Sequence, residues 1–335
     1  MTPADPTRRG ILLRIVSTVF FAGMAVFVKL ASHEAPVGQI VFFRSAFAII
    51  PLMVFLLVRK EFPAGLATKR PLGHLTRSGL GATSMFLSFA AIARLPLADS
   101  TLVSYVTPLL TALLGGLLLG EALTRSKMTG IFLGMCGVLV LTLPQLIGTA
   151  LGTTRLVGYG LGLLSAILAA GAMIQVRRLR PTQSPRAIAL YFLLVSALAS
   201  IFTLPTGWVA PSAGTLAVLV LAGLGGGLAH IAMTLSYRYA EASTLAPFEY
   251  LSLIWAGVLD LTVFRTSLSP WFLFAVPLLV TGAAVSTGTL GQLLSRAKRR
   301  RPGNRLPGEP PPSVSDSSDP SRTDAPRAYR SRTSR

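Results

Sequence analysis

Long apolar runs recur along almost the whole chain, separated by short polar or proline-containing segments. Each run holds about 20 residues, the length that an α-helix needs to cross the hydrocarbon core of a bilayer. A helix satisfies its own backbone hydrogen bonds in lipid, so helices are favoured over strands in spite of the many Val and Thr residues. The pattern predicts ten transmembrane helices near residues 11–30, 37–58, 73–94, 98–119, 126–147, 156–176, 186–205, 213–237, 244–264 and 269–291.

The composition argues against an ordinary soluble enzyme. Hydrophobic residues make up 52% of the 335 residues, charged residues only 13%, and the mean hydropathy is +0.63. The formal net charge of +19 would suggest a nucleic acid partner, but the Lys and Arg residues cluster at the ends of the apolar runs, so no nucleic acid is expected. A single Cys136, three scattered His residues and the lack of a phosphate-binding loop motif predict no metal site and no cofactor.

The basic residues predict the orientation in the membrane. The N-terminal segment, with Arg8, Arg9 and Arg14, and alternate connections carry most of the Lys and Arg residues, whereas the remaining connections carry only Arg94, Arg155 and Arg265. Basic residues accumulate on the cytoplasmic side of membrane proteins. We therefore expect a multi-pass protein of the inner membrane with both termini in the cytoplasm, whose first apolar run is retained and is not a cleaved signal peptide.

An internal repeat relates the two halves of the chain. Small and basic residues of the first and sixth runs match in addition to large apolar ones, at a shift of about 148 residues. The pairs are Leu13 and Leu161, Ser17 and Ser165, Ala22 and Ala170, Gly23 and Gly171, Val28 and Val176, and Lys29 and Arg177. Arg94 and Ser100–Leu102 likewise match Arg238 and Ser243–Leu245. Chance alignment of apolar residues is the alternative, but it does not explain the matching polar positions.

Each copy of the repeat holds five runs, an odd number, so the second copy enters the membrane in the opposite direction. The predicted fold class is therefore an all-α polytopic membrane protein of ten transmembrane helices, built as two inverted five-helix repeats. The predicted organisation is a cytoplasmic N-terminus (1–10), a first repeat (11–147), a connector (148–155), a second repeat (156–291) and a disordered basic cytoplasmic tail (292–335), which holds too few large apolar residues to fold.

Three stretches are distinctive: Phe42-Phe43-Arg44, Tyr105-Val106-Thr107-Pro108 through Gly120-Glu121-Ala122-Leu123-Thr124, and Ala246-Pro247-Phe248-Glu249-Tyr250 through Trp255. Together they resemble the drug/metabolite transporter superfamily, in its ten-helix form with two EamA-type halves. The third stretch resembles a branch that includes uptake systems for riboflavin and S-adenosylmethionine. The second half usually repeats the Gly-Glu pair, and here that place reads Phe264-Arg265, so the resemblance implies no symmetric second glutamate.

Arg44 is the first candidate for substrate binding, because a charge at the centre of a membrane helix costs about 2.5 to 3.5 kcal/mol on insertion scales. It lies about seven residues into the second run. If it faces a central cavity, it can hold an anionic or carbonyl group of the substrate through paired hydrogen bonds. The alternative is a structural role, in which the guanidinium reaches the membrane surface or a helix C-terminus.

Glu249 and Asp260 are candidate coupling residues in the ninth run. They lie eleven residues apart, which on one continuous helix is three turns, or about 16 Å along the same face. A carboxylate beside a water-filled path can take up and release a proton, and Glu249 is also a candidate substrate anchor. A packing hydrogen bond within the bundle is the alternative for both.

The remaining candidates for substrate binding are His230, Tyr105, Tyr250 and Trp255. His230 follows a glycine-rich stretch that permits close helix approach, and it can bind substrate or relay protons. The three aromatic residues can stack on a flat ring, although packing is the alternative for each. Glu121 is expected to pair with Arg125 four residues later and to be structural or part of a gate.

These features predict a secondary transporter that moves a small polar or aromatic metabolite by alternating access. Uptake of a vitamin or cofactor-type metabolite such as riboflavin is the preferred assignment, and export of amino acids or related metabolites is the alternative. A membrane-embedded enzyme using His230, Glu249 or Asp260 is a third hypothesis. The expected partners are the small-molecule substrate, the lipid bilayer and protons, and no nucleic acid. The sequence does not indicate how many copies of the chain associate.

Overall fold

The computed structural model describes residues 6–60, 63, 68, 70–147 and 153–286, and all regular structure within them is helical. The helices are α1 (Pro6–Ala31), α2 (Val37–Val58), α3 (Pro71–Ile92), α4 (Leu97–Ser104), α5 (Val106–Leu119), α6 (Arg125–Ile147), α7 (Thr153–Leu179), α8 (Pro185–Ile201), α9 (Ala213–Tyr239), α10 (Ala242–Glu249), α11 (Leu251–Thr262) and α12 (Pro270–Ser286), with a 3-10 helix at Leu204–Thr206. Most of the predicted connector (148–152) and the predicted basic tail (292–335) lie outside the described residues.

These helices follow the ten predicted membrane crossings in order. The fourth crossing is divided into α4 and α5 at Tyr105, and the ninth into α10 and α11 at Tyr250. By length and composition, six helices of the described part can each cross a membrane, with α4 and α5 counted as one, while α8, α11 and α12 are shorter apolar helices. The predicted fold class, an all-α polytopic membrane protein, is confirmed.

The division at Tyr250 corrects one expectation about the ninth crossing. Glu249 is the last residue of α10 and Asp260 lies in α11. The two carboxylates therefore do not lie on one continuous helix, and the premise that placed them on a shared face is wrong.

Helix packing repeats when the two halves are exchanged. α1 packs on α9 as α7 packs on α3, and α2 packs on α9 as α8 packs on α3. α5 packs on α7 as the α10–α11 crossing packs on α1. The α2–α8 and α6–α12 contacts each join two equivalent helices, so exchanging the halves leaves them unchanged. This is the contact pattern of two equivalent five-crossing repeats, and an odd number of crossings makes the repeats inverted.

The two broken crossings are equivalent at a shift of 145 residues, which carries Tyr105 onto Tyr250. The same shift carries Gly120 onto Arg265, and both residues adopt left-handed backbone, with φ of 70° and 49°. The two crossings therefore end in the same kind of turn, although only the first has a glycine there.

The 145-residue shift places Arg265-Thr266, and not Phe264-Arg265, opposite the Gly120-Glu121 pair of the first half. Glu121 N–H donates to the carbonyl of Gly115 (3.2 Å), as Thr266 N–H donates to the carbonyl of Asp260 (2.9 Å). Asp260 is therefore the counterpart of Gly115, and the Glu121 carboxylate folds back beside that glycine, with Oε2 2.9 Å from where a Cβ would stand. The sequence resemblance implied no symmetric second glutamate, and the structure has a different carboxylate, Asp260, at the equivalent turn.

Consecutive crossings joined by short connections run antiparallel. The five residues between α1 and α2 extend at most about 18 Å, whereas a 22-residue helix such as α2 is about 33 Å long. We call the face at which α1 begins the N-terminal face, and the other the opposite face. α4 and α11 approach the opposite face, while α5 and α10 approach the N-terminal face.

Polar residues lie inside the bundle and large apolar residues on its surface. Arg14, Arg44, Asp99 and Asp260 are buried, while side chains such as Phe202 are largely exposed. Lipid is the solvent for such an apolar surface, and charges inside a membrane protein face its interior.

Glycines of α9 allow it to lie directly against α2, as the sequence predicted. A Cβ on Gly223 would lie 3.0 Å from the carbonyl oxygen of Phe43, and one on Gly227 would lie 2.9 Å from that of Ala48. This close approach brings His230 of α9 beside Arg44 of α2.

Opposite stability effects are expected at the two equivalent turns. Gly120→Ala places a Cβ on left-handed backbone, and this strain should lower the free energy of unfolding by about 1 to 2 kcal/mol. A Cβ there would meet no other group, so no steric clash adds to the backbone strain. Arg265→Gly relieves the same strain and should raise it. Melting temperatures of the purified variants in detergent test this, and a destabilising Arg265→Gly would contradict it.

Candidate functional site

A cavity of about 320 Å³ lies between α1, the α4–α5 crossing and the α10–α11 crossing, so both halves of the chain line it. Its apolar lining includes Phe21, Leu97 and Pro108, and its polar lining includes Arg14, Tyr105 and Glu249. The polar residues Arg14 and Glu249 are on the side of the cavity toward the N-terminal face. The cavity therefore has one charged end and one mainly apolar end.

An ion pair between Arg14 and Glu249 forms the charged end. Nη2 of Arg14 contacts Oε1 of Glu249, which also accepts from the hydroxyl of Tyr237 at 3.3 Å. The Arg14 side chain is 8% exposed and that of Glu249 is 39% exposed. Nε and Nη1 of Arg14 and Oγ of Ser17 are buried without a hydrogen-bond partner. Donors without an acceptor among the described residues therefore lie in the side chains that form the charged end of the cavity.

Tyr105 supports this end of the cavity from the break in the fourth crossing. Its hydroxyl donates to the carbonyl of Glu249 (2.6 Å) and lies 2.6 Å from Oγ of Ser252. Its ring stacks on that of Tyr250, with centroids 5.4 Å apart and planes at 23°. The two helix breaks are thus packed against each other across the repeat interface.

Asp260 closes the bundle toward the opposite face. Its two carboxylate oxygens accept from the backbone N–H groups of Leu97 (2.9 Å) and Ala98 (2.7 Å) at the start of α4. Nζ of Lys29 lies 3.9 Å from Asp260 and donates to the carbonyl of Leu95 at 2.7 Å. An acid at a helix N-terminus interacts favourably with the free N–H groups there. These contacts join α1, α4 and α11.

A second ion pair lies at the N-terminal face. Nη1 of Arg177 donates to Oε1 of Glu121 at 2.5 Å, and Nζ of Lys127 lies 3.6 Å from Oε2. The expected pairing of Glu121 with Arg125 is wrong, because α5 ends at Leu119 and the two residues share no helix. Lys29 and Arg177 are the repeat-related cations, and each pairs with an acidic residue of the other half, so the two ion pairs are equivalents at opposite faces.

Exposure differs between these equivalent pairs. Lys29 and Asp260 are 14% and 0% exposed, whereas Arg177 and Glu121 are 41% and 36% exposed. The ion pair at the opposite face is therefore buried, and the one at the N-terminal face is partly exposed. In the cavity wall, Ser104 is exposed and Glu249 is partly exposed.

Arg44 and His230 lie behind the cavity. Nη2 of Arg44 is 3.3 Å from Nε2 of His230, whose ring meets that of Phe21 edge to face at 5.1 Å. Phe21 lines the cavity on its other side. The two predicted residues are thus adjacent to each other, but one aromatic ring separates them from the open space.

The structure brings part of the predicted site together. Of the residues predicted for substrate binding, Tyr105 and Glu249 line the cavity, while Tyr250 stacks behind Tyr105 and the indole N–H of Trp255 donates to Thr18 (3.2 Å). Arg14 was missed, since it was counted only among the basic residues that set orientation. Its position inside the first apolar run, as the fourth residue of that run, was the available signal.

No group of three metal-ligating side chains occurs in the described part of the chain. The site chemistry within these residues consists of charge pairing, hydrogen bonding and apolar contact.

Comparison with known proteins gives consistent matches over both halves. The sequence profile of the EamA-like transporter family matches residues 8–143 and 156–288. The pseudopaline exporter CntI of Pseudomonas aeruginosa is 32% identical over 254 residues, which cover 75% of this chain and 86% of that protein. A riboflavin transporter of Rhizobium johnstonii is 26% identical over 254 residues (74% and 82%), and an S-adenosylmethionine uptake transporter of Rickettsia prowazekii 24% identical over 258 residues (76% and 83%).

A solved crystal structure resembles this chain with a TM-score of 0.62 at 21% identity. The match covers 86% of this chain and 98% of the other. At this identity the likeness shows a common fold.

Proposed function

The chain belongs to the EamA-like transporter family, within the drug/metabolite transporter superfamily, and from this premise we propose that it exports an amino-acid-type metabolite across the inner membrane by secondary transport. One observation carries the substrate class: a cavity between the halves ends in an Arg14–Glu249 pair whose arginine keeps unsatisfied donors. Family membership favours transport over the enzyme hypothesis.

A zwitterion matches both charges of this pair. Its carboxylate can bind the free N–H groups of Arg14 and the hydroxyl of Ser17, and its ammonium can bind Glu249. The remainder of such a ligand would lie against Phe21 and Leu97 toward the apolar end. S-adenosylmethionine, named for one group of relatives, is itself an amino acid derivative.

Export is favoured over uptake by the degree of similarity. The exporter is 32% identical to this chain, whereas the riboflavin and S-adenosylmethionine uptake transporters are 26% and 24% identical. Riboflavin uptake is the second candidate, because the Tyr105 side chain lines the cavity and can contact a flat ring.

The two equivalent ion pairs act as gates in this proposal. Lys29–Asp260 is buried and holds the opposite face shut, while Arg177–Glu121 is half-exposed at the open face. Exchanging the conformations of two inverted repeats would bury the second pair and expose the first. A half-exposed pair contributes only about 0.2 to 1 kcal/mol, so it does not lock the open face.

A ligand panel tests the substrate class. Purified protein in detergent is screened by thermal shift against zwitterionic amino acids, S-adenosylmethionine and riboflavin, and hits are tested by counterflow in proteoliposomes. We expect counterflow with an amino-acid-type ligand and its loss in Arg14→Gln. Counterflow with riboflavin alone would favour the second candidate.

The proposed orientation places the N-terminal face in the cytoplasm. Reporter fusions after Arg180 and Arg296 should show cytoplasmic activity, and a fusion after Gly207 should show periplasmic activity. The cavity would then be open to the cytoplasm, the side from which an exporter loads. A periplasmic reporter after Arg296 would contradict the inverted repeat.

A further inference from the structure

The backbone carbonyl of Glu249 is freed by the break in the ninth crossing. In a continuous helix it would accept from the N–H of Leu253, but that N–H donates instead to the carbonyl of Tyr250 (3.1 Å). The freed carbonyl accepts from the hydroxyl of Tyr105 (2.6 Å) and from that of Ser252 (3.0 Å). A side chain of the first half therefore holds the broken backbone of the second half.

The fourth crossing contains the same parts at a shift of 145 residues. This shift places Ser104 opposite Glu249. It also places Thr107 opposite Ser252, so each break has a tyrosine followed two residues later by a hydroxyl-bearing residue. The carbonyl of Ser104 lacks its helical donor as well, because the residue four positions later is Pro108, which has no N–H. Each half therefore holds a tyrosine, a hydroxyl-bearing residue and a carbonyl that the helix does not satisfy.

One of these two equivalent sets is bonded in this structure. The Tyr105 hydroxyl donates across the repeat interface, whereas the Tyr250 hydroxyl has no hydrogen-bond partner among the described residues. The two rings stack with centroids 5.4 Å apart. Exchanging the halves maps this ring pair onto itself, so the stack can be kept while the hydroxyl bond passes from one break to the other. At the unbonded break, Ser104 is exposed and Thr107 is partly exposed.

We propose that Tyr105 and Tyr250 are positioning residues of a two-state switch between the halves. Tyr105 holds the break of the ninth crossing in the state seen here. When the halves exchange conformations, Tyr250 instead donates to the carbonyl of Ser104 and meets the hydroxyl of Thr107, and so holds the break of the fourth crossing. The switch rests on the exchange of conformations in the proposed function, and it is independent of the substrate and of the direction of transport.

Opposite effects of two equivalent substitutions distinguish a switch from a structural role. One net hydrogen bond changes an equilibrium by about two- to tenfold. Tyr105→Phe removes a bond of the present state, so it should increase the population of the alternate state. Tyr250→Phe removes a bond that forms only in the alternate state, so it should decrease that population. Two tyrosines that only pack the bundle would not give effects of opposite sign.

Labelling of a single cavity thiol measures the alternate state. Thr101→Cys, on the cavity wall, is introduced with Cys136→Ser, and a membrane-impermeant maleimide is added to vesicles of either orientation. Tyr105→Phe should speed labelling from the opposite face by about two- to tenfold. Tyr250→Phe is combined with Asp260→Asn, which breaks the ion pair at the opposite face and should open it. Labelling from that face should then fall by a similar factor relative to Asp260→Asn alone.

The hydroxyl-bearing partners give a second pair of variants, in case a tyrosine variant does not fold. Ser252→Ala should change opposite-face labelling in the same direction as Tyr105→Phe, and Thr107→Ala in the same direction as Tyr250→Phe. The control is Tyr191→Phe, which removes a hydroxyl outside the cavity lining and should leave labelling unchanged.

Two sets of results would overturn the switch in distinguishable ways. The switch alone is wrong if Asp260→Asn speeds opposite-face labelling but Tyr105→Phe does not, or if Tyr250→Phe acts in the same direction as Tyr105→Phe. Unchanged opposite-face labelling in every variant, Asp260→Asn included, would reject the exchange of the two halves and the switch with it.

Discussion

Asp260→Asn is expected to abolish net transport while the protein still reaches the membrane. Asn keeps the size of the side chain and one acceptor for the N-terminus of α4, but it removes the charge that faces Lys29. Breaking a buried ion pair by removing one partner typically costs about 3 to 5 kcal/mol. The closed arrangement at the opposite face should lose most of this stabilisation, so the protein no longer seals that face before the other one opens.

Glu34→Gln is the matched control for Asp260→Asn. Glu34 is an acidic residue at the same face and bridges Ser212 and Thr215, but it takes no part in either repeat-related pair. Transport in proteoliposomes and membrane abundance are measured for both variants. Equal transport by Asp260→Asn and the parent would remove Asp260 from the gate, and equal losses in both variants would indicate general destabilisation of that face.

Glu249→Gln is expected to retain substrate exchange and to lose accumulation driven by a proton gradient. The side chain is half-exposed at the open end of the cavity and pairs with Arg14 and Tyr237. A proton on Glu249 would remove the negative charge that faces the ammonium of the substrate, so proton and substrate would bind alternately, as proton-driven export requires. The amide oxygen of Gln can still accept a hydrogen bond from the ammonium, so exchange can proceed, but Gln cannot take up or release a proton.

Exchange and accumulation are compared in the same proteoliposomes, with and without a pH gradient. Glu241→Gln, a carboxylate at the start of the same crossing, is the control and should accumulate substrate as the parent does. If Glu249→Gln also accumulates normally, the coupling residue lies elsewhere. If exchange is lost as well, substrate binding itself requires the negative charge of Glu249, and the variant gives no support for a role in proton coupling.

The membrane crossings could be predicted from the sequence because lipid imposes a length and a polarity on each helix. The shift that joins Lys29 to Arg177 also revealed the repeat. Pro108 lies three residues after Tyr105 and Pro247 three residues before Tyr250, so the sequence indicates a disturbed helix near each break, because proline removes a backbone N–H. The positions of the breaks were not predicted, since Tyr105 and Tyr250 both keep right-handed helical backbone.

Side-chain partners in the site could not be predicted from local spacing. Glu121 lies near Arg125 in sequence but pairs with Arg177, 56 residues away. Asp260 was assigned to the same helix face as Glu249, yet it caps α4 from 163 residues away. Arg14 was interpreted as a topological signal, because an arginine near a helix start can serve either role until its neighbours in space are known.

Accessibility of the cavity from each side of the membrane tests the gating account most directly. In a Cys136→Ser background, Ser104→Cys places a single thiol on the exposed cavity wall near the middle of the fourth crossing. The thiol is labelled with a membrane-impermeant maleimide in inside-out and right-side-out vesicles. The account predicts rapid labelling from the cytoplasmic side, slow labelling from the periplasmic side, and a marked increase in periplasmic labelling when Asp260→Asn is added. Periplasmic labelling that is already fast with Asp260 intact, or that does not change in Asp260→Asn, would contradict it.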